Sequence, residues 1–182
     1  MKAVFYTQLF SDTSLSIGVK MVYSQLVFRA VICDQQSFDE TGEFDIDLAR
    51  GFEGRWCGLD LVRLSKVADD LNLDAKTVYR AVEHLRANGL INYDNGIYIP
   101  DNMFFGFIEL KPESKLKGWD LIVYSYIWGK TRRYKYVDTY RPALAKFFGV
   151  SETHLSNIVT SLREKGRIKR ECDWRNWHLS CK

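Results

Sequence analysis

Two stretches of this chain repeat each other, and the repeat restricts the fold to a unit built twice. Residues 67–92 and 144–169 align at a constant offset of 77. Ala68, Val82, Leu85, Arg86, Gly89 and Ile91 recur as Ala145, Val159, Leu162, Arg163, Gly166 and Ile168. Leu73/Val150 and Val78/Leu155 match in kind, and the matched apolar positions are those that a helix-turn-helix buries. Upstream, Met21-Val22-Tyr23-Ser24-Gln25-Leu26-Val27 aligns with Ile122-Val123-Tyr124-Ser125-Tyr126-Ile127-Trp128 at an offset of 101. A helix followed by a helix-turn-helix therefore occurs twice. The offsets differ by 24 residues, which places an insertion in the first copy at about 34–58. That stretch reads as an appended loop or hairpin rather than core.

The local signals agree with the repeat. In the first copy, residues 65–71 show helical spacing, 72–74 form the turn, and Asp74 is an N-cap whose carboxylate accepts from free amides of the next helix. That helix is expected over 75–88, with Val78, Val82 and Leu85 inward and Gly89 past its end. Residues 90–93 and 97–99 are expected to pair around a type I′ turn at Asn95-Gly96, with Pro100 ending the second strand. In the second copy the helices are expected over 141–148 and 152–165. Ser151 is the N-cap, Gly166 the C-terminal stop, and strands 167–171 and 177–181 pair around 173–176.

Charge separates the two copies. Residues 1–110 hold 10 basic and 16 acidic side chains, and residues 111–182 hold 16 basic and 7 acidic, so the net charges are −6 and +9. A basic half beside an acidic one points to a polyanionic partner for the second copy. The expected organisation is α+β, mainly helical. It has an N-terminal domain over 1–110, carrying the acidic insertion, and a basic C-terminal domain over 111–182.

Helix, helix-turn-helix and two-stranded hairpin is the order of a winged helix. Leu73-Asp74-Ala75-Lys76-Thr77-Val78-Tyr79-Arg80, with Leu85-Arg86 and Gly89-Leu90-Ile91 after it, resembles the recognition-helix-to-wing passage of winged-helix DNA-binding domains. Val150-Ser151-Glu152-Thr153-His154-Leu155-Ser156, with Leu162 to Ile168 after it, resembles that passage again. Phe10-Ser11-Asp12-Thr13-Ser14-Leu15-Ser16 and Lys20-Met21-Val22-Tyr23-Ser24 are similar to the segment leading into the first winged helix of plasmid and phage replication-initiation proteins. The resemblance implies two tandem winged helices, binding to origin repeats and recruitment of a host replication factor. The chain stops after its second wing, which leaves a DNA-binding transcription regulator as the other role.

A helix-turn-helix presents its second helix to the major groove, N-terminal residues toward base edges. In the second copy the candidates are Thr153, His154, Ser156, Asn157 and Thr160, with Asn157 suited to bidentate pairing with adenine. Arg163, Lys165, Arg167, Lys169, Arg170 and Arg175, on the helix end and wing, are candidates for phosphate contacts. So are Lys130, Arg132, Arg133 and Lys135, a basic run interleaved with Tyr134 and Tyr136. Packing on the wing sheet is the competing role for those tyrosines, and for Trp174 and Trp177. In the first copy the candidates are Lys76, Thr77, Tyr79, Arg80 and Arg86. Arg86 and Arg163 share a repeat position that equally suits an ion pair beside the wing.

No catalytic residue, cofactor or metal is expected. There is no G-x-x-x-x-G-K-[ST] or G-x-G-x-x-G loop. His84, His154 and His178 form no triad spacing, and Cys172, His178 and Cys181 lack a fourth ligand and a paired-cysteine spacing for zinc. Scattered cysteines and the absence of an apolar leader lead us to expect reduced thiols and a cytoplasmic setting, with no membrane segment. The expected partner is double-stranded DNA. The acidic first copy leaves open a protein partner, a second copy of the chain, or a scaffold role for the whole.

Overall fold

The computed structural model describes residues 3–33, 46–111, 114–134, 136–173 and 176–182. Its contacts divide the chain into two compact units, Met1–Phe107 and Ile108–Lys182. Each mixes helices with short antiparallel strands, so the protein is α+β with helix predominant.

In the first unit α1 (Ile17–Cys33) is apolar on nearly every side, and a helix of that kind must be enclosed. Met21, Val22, Tyr23, Leu26, Val27 and Val31 are all buried. The polar side chains on it do internal work. Ser24 Oγ accepts from the Tyr6 N–H at 3.1 Å and Gln25 Oε1 from the Val4 N–H at 3.1 Å, holding β1 (Ala3–Tyr6) to the helix. The short helix α2 (Ile46–Arg50) and strand β2 (Arg55–Gly58) precede α3 (Leu64–Leu71), α4 (Ala75–Ala87) and β3 (Gly96–Ile99). Strand β4 (Phe107–Leu110) carries the chain into the second unit.

The second unit holds α5 (Gly118–Thr131), β5 (Val137–Tyr140), α6 (Arg141–Phe148), α7 (Glu152–Glu164), β6 (Ile168–Asp173) and β7 (Asn176–Cys181). Its sheet runs β5–β7–β6, all antiparallel. Leu121, Ile127, Phe148, Leu155, Val159, Leu162, Ile168 and Leu179 are buried in its core.

The sequence repeat is a structural repeat. Both ends of α3 and α4 map onto those of α6 and α7 at the offset of 77, and α5 begins 101 residues after α1. The same local bonds close the helices. Asp74 accepts from the Thr77 N–H at 2.8 Å, and Ser151 from the His154 N–H at 3.1 Å. The 6→1 bonds Leu73 N–H to Ala68 C=O and Val150 N–H to Ala145 C=O end α3 and α6, at 2.9 and 3.0 Å. The turn residues between the helices, Asn72 and Gly149, both adopt left-handed backbone, with φ of 58° and 64°.

Two expectations need correction. The stretch 34–58 is not wholly an appendage. Its residues 34–45 lie outside the described residues, but Arg55–Gly58 is β2, which pairs with β3 from Arg55↔Ile99 to Gly58↔Gly96. The backbone donors and acceptors of β3 find their partners there, and Cys57 is buried by the pairing. β2 thus corresponds to β5, each lying between the first helix of its unit and the helix-turn-helix. Nor do residues 90–93 form a full strand or Asn95-Gly96 a type I′ turn. Only Ile91 bridges to Ile97, and the turn lies two residues earlier, closed by the Asn95 N–H to the Asn92 carbonyl at 3.2 Å. Type I′ needs positive φ at both central residues, and Asn95 (φ 56°) takes that conformation while Gly96 begins the strand. Gly96 is needed for room instead. A Cβ there would sit 3.1 Å from the Asn92 side chain, whose oxygen accepts from the Gly96 N–H at 2.7 Å.

The two units differ where the first helix meets the helix-turn-helix. In the first unit Asp70 on α3 and Arg29 on α1 are both 8% exposed. Asp70 Oδ2 accepts from Gln25 Nε2 at 2.9 Å and from Arg29 through both Nε, at 3.1 Å, and Nη2. The repeat offsets map these three residues onto Tyr126, Lys130 and Phe147. There the Tyr126 and Phe147 rings lie 5.2 Å apart, with Lys130 Nζ 5.7 Å from the Tyr126 ring. One unit closes this seam with a desolvated ion pair, the other with aromatic contact.

Candidate nucleic-acid interface

α7 is amphipathic, and the packing of one face decides what the other offers. Leu155, Ile158, Val159 and Leu162 are buried. Thr153, Ser156, Asn157 and Thr160 follow at helical spacing on the outward side, where Thr153 and Asn157 are exposed and Ser156 and Thr160 half-buried. This row carries hydroxyl and amide groups and no charge. Glu152, at the start of the helix, is taken up by Arg141 Nε at 2.8 Å. His154 is exposed but lies edge-on to the Trp119 ring at 6.0 Å, so it shares its surface with a packing contact.

The basic residues fall into separate groups. Arg163 and Lys169 are exposed, on the end of α7 and on β6. Lys165 Nζ contacts Asp120 at 2.5 Å, and Arg167 Nη2 donates to the Ser114 carbonyl at 3.0 Å, so both face the start of α5. Arg170 lies 5.6 Å from the Trp177 ring, and Trp177 is buried in the sheet, which makes its role packing. Lys130, Arg132 and Arg133 sit at the far end of α5, at least ~15 Å along the helix from Asp120 at 1.5 Å per residue. Lys130 and Arg132 bend back over Tyr126 and Trp128, the latter at 4.9 Å. Tyr136 meets the His178 ring at 5.3 Å and Tyr134 is 64% exposed. Lys135, Trp174 and Arg175 lie outside the described residues.

On α4 of the first unit, Lys76, Tyr79 and Arg80 are exposed in the equivalent row. The Thr77 hydroxyl donates to the Asp74 cap at 2.7 Å, which gives that residue a structural task. Arg86 pairs with Glu83 at 2.7 Å, the ion pair its repeat position suggested. In the second unit Thr160 stands where Glu83 stands, so Arg163 has no carboxylate at the corresponding i−3 position.

Sequence reasoning passed over Lys115 and Lys117. They line a cleft with Lys165, Arg167 and Asp120. The excess of basic residues after residue 110 was the one signal for them. Burial raises the Cys181 thiol above its ordinary pKa, a hydrogen bond with Thr131 working against that shift. His178 and Cys181 are thus accounted for by a ring and a hydroxyl. Among the described residues no group of three or more His, Cys, Asp or Glu side chains is placed to hold a metal ion. Nor is any described helix long and apolar enough to cross a membrane.

Comparison with protein-family models, with curated proteins and with solved structures returns no match for this chain.

Proposed function

We propose that the protein binds double-stranded DNA, with each unit a winged helix and the second unit making the main contact. The observation that carries this reading is the outward row of α7. Thr153, Ser156, Asn157 and Thr160 present hydrogen-bonding groups without a carboxylate among them, and Arg163 and Lys169 follow on the same unit. Such groups suit base edges in a major groove, and the flanking cations suit phosphates. The strand order supports the winged-helix plan. In both units the strand before the helix-turn-helix pairs with the last strand of the hairpin. Origin binding in replication initiation and operator binding in transcription regulation both fit this reading.

The test is fluorescence anisotropy with random duplex DNA across a salt series, followed by selection of a preferred site. We expect a steep log–log slope, reduced by about 1 in Lys169→Glu, with affinity lowered on every sequence. Asn157→Ala should lower affinity for the selected site while leaving random duplex binding in place. Absence of duplex binding at low salt would overturn the proposal.

The first unit supports a second role for itself. Its α4 row contains the Glu83–Arg86 pair, and Tyr79 on that row and Trp56 on β2 are exposed. We assign this surface to a protein partner or a second copy. Light scattering tests the second copy, and retention of the same mass in Trp56→Ser would argue against it.

A further inference from the structure

We propose that a cationic cleft on the second unit binds phosphate groups. The cleft is open to solvent and has a volume of about 540 Å³, within the roughly 300–1,000 Å³ typical of small-ligand sites. Among the described residues Lys115, Lys117, Lys165 and Arg167 line it, with Asp120 the one carboxylate. That carboxylate is already engaged, accepting from Ser161 Oγ at 3.0 Å and from Lys165 Nζ at 2.5 Å. Arg167 gives Nη2 to the Ser114 carbonyl at 3.0 Å, which uses one of its five N–H donors. Among the described lining residues, four cations around a single carboxylate leave a positive excess that a ligand of multiple negative charge would balance.

The loop that holds the two new lysines is built, not slack. Ser114 is buried, its N–H donates to the Lys111 carbonyl at 3.0 Å, and its hydroxyl accepts from the Leu116 N–H at 3.3 Å. Leu116 is buried between the two lysines in sequence and anchors the backbone that carries them. Lys115 adopts φ of 60°, a conformation that residues with a Cβ take at a cost. An arginine fork and several ammonium groups around one volume match the oxygens of a phosphate better than the two of a carboxylate. The volume admits two linked phosphates.

Two sources supply that chemistry: a free polyphosphorylated small molecule, or the backbone of a duplex lying against the second unit. The second source rests on the DNA-binding reading above, and the first does not. The test is an ¹⁵N-resolved NMR titration of the full chain with sodium pyrophosphate, at ionic strength held constant with sodium chloride. We expect saturable shifts confined to residues 114–120 and 165–167. In Lys115→Gln/Lys117→Gln binding should weaken at least tenfold with the rest of the spectrum unchanged. Shifts scattered over all lysines and arginines without saturation, or equal affinity in the double variant, would overturn the proposal.

A competition then separates the sources. If duplex DNA displaces pyrophosphate and the double variant lowers the salt slope by about 2, the cleft serves the backbone. If duplex and pyrophosphate bind together and the slope is unchanged, it serves a free ligand. Saturable pyrophosphate binding in a protein that binds no duplex would remove the DNA reading and leave the cleft standing.

Discussion

Asp70→Ala should be among the most damaging single truncations in the first unit. Asp70 and Arg29 have side chains only 7% and 9% exposed, so Arg29 keeps a buried charge when its partner goes. Gln25 also loses the acceptor for its amide, though it still holds the Val4 N–H. Lys66, 3.6 Å from Asp70 Oδ1 but itself half-exposed, returns to water at little cost. Breaking a buried pair from one side costs about 3–5 kcal/mol, a large share of the ~5–15 kcal/mol that holds a domain together. A domain of this size shifts its melting midpoint by roughly 4–8 °C per kcal/mol, so the first unit should melt about 12 °C or more earlier. The second unit should melt as before. The assay is a thermal scan read by the fluorescence of Trp56, which has no tryptophan neighbour in the first unit, in a background where the other tryptophans are phenylalanine. The second unit suggests the rescue: Gln25→Tyr/Arg29→Lys/Asp70→Phe installs its aromatic seam and should recover most of the loss. A midpoint within about 4 °C of the parent for Asp70→Ala would show that the pair is not desolvated as the geometry requires.

Loss of the Ser151 cap in Ser151→Ala should cost the second unit about 1 kcal/mol, read from its urea midpoint. At the turn between α6 and α7, Gly149→Ala should cost about 1 kcal/mol, because φ of 64° suits glycine, whereas Asn72→Gly in the first unit should change stability by only a few tenths. Alkaline titration should unfold the first unit late and cooperatively. Burial raises the pKa of Tyr23, whose hydroxyl donates to the Tyr98 carbonyl, so its neutral form stabilises the fold fully below the unfolded value of about 10 and loses that contribution as pH rises toward the folded value. Absorbance at 295 nm should show buried tyrosines ionising only with unfolding. Titration of every tyrosine near pH 10 with the fold intact would contradict this.

How much of this was legible beforehand follows the range of the interactions involved. The helices of both helix-turn-helix passages, their N-caps at Asp74 and Ser151, and the glycine stops at Gly89 and Gly166 rest on bonds between residues two to five apart. Residue order therefore specifies them directly, and the offset of 77 doubled the signal. The inward face of α7 was readable for the same reason, since helical period alone separates Leu155, Ile158, Val159 and Leu162 from Thr153, Ser156, Asn157 and Thr160. The turn in the first hairpin misled because Asn-Gly is a strong local motif, while the turn that forms, with the Asn92 side chain capping Gly96, lies two residues earlier.

The pairing of β2 with β3 and of β5 with β7 joins segments about forty residues apart through registers of only four residue pairs, too short to carry an alternation of their own. The cations behave likewise. Composition located them in the second half, but Lys165 is committed by Asp120, forty-five residues earlier, and Arg167 by Ser114, fifty-three residues earlier. A charged side chain is free to point several ways from its own backbone, and the neighbour that settles its direction arrives from another part of the chain. Helices and caps are written in the order of the residues. Strand partners, the cationic cleft and the burial of Asp70 arise from which distant segments the collapsed core brings together.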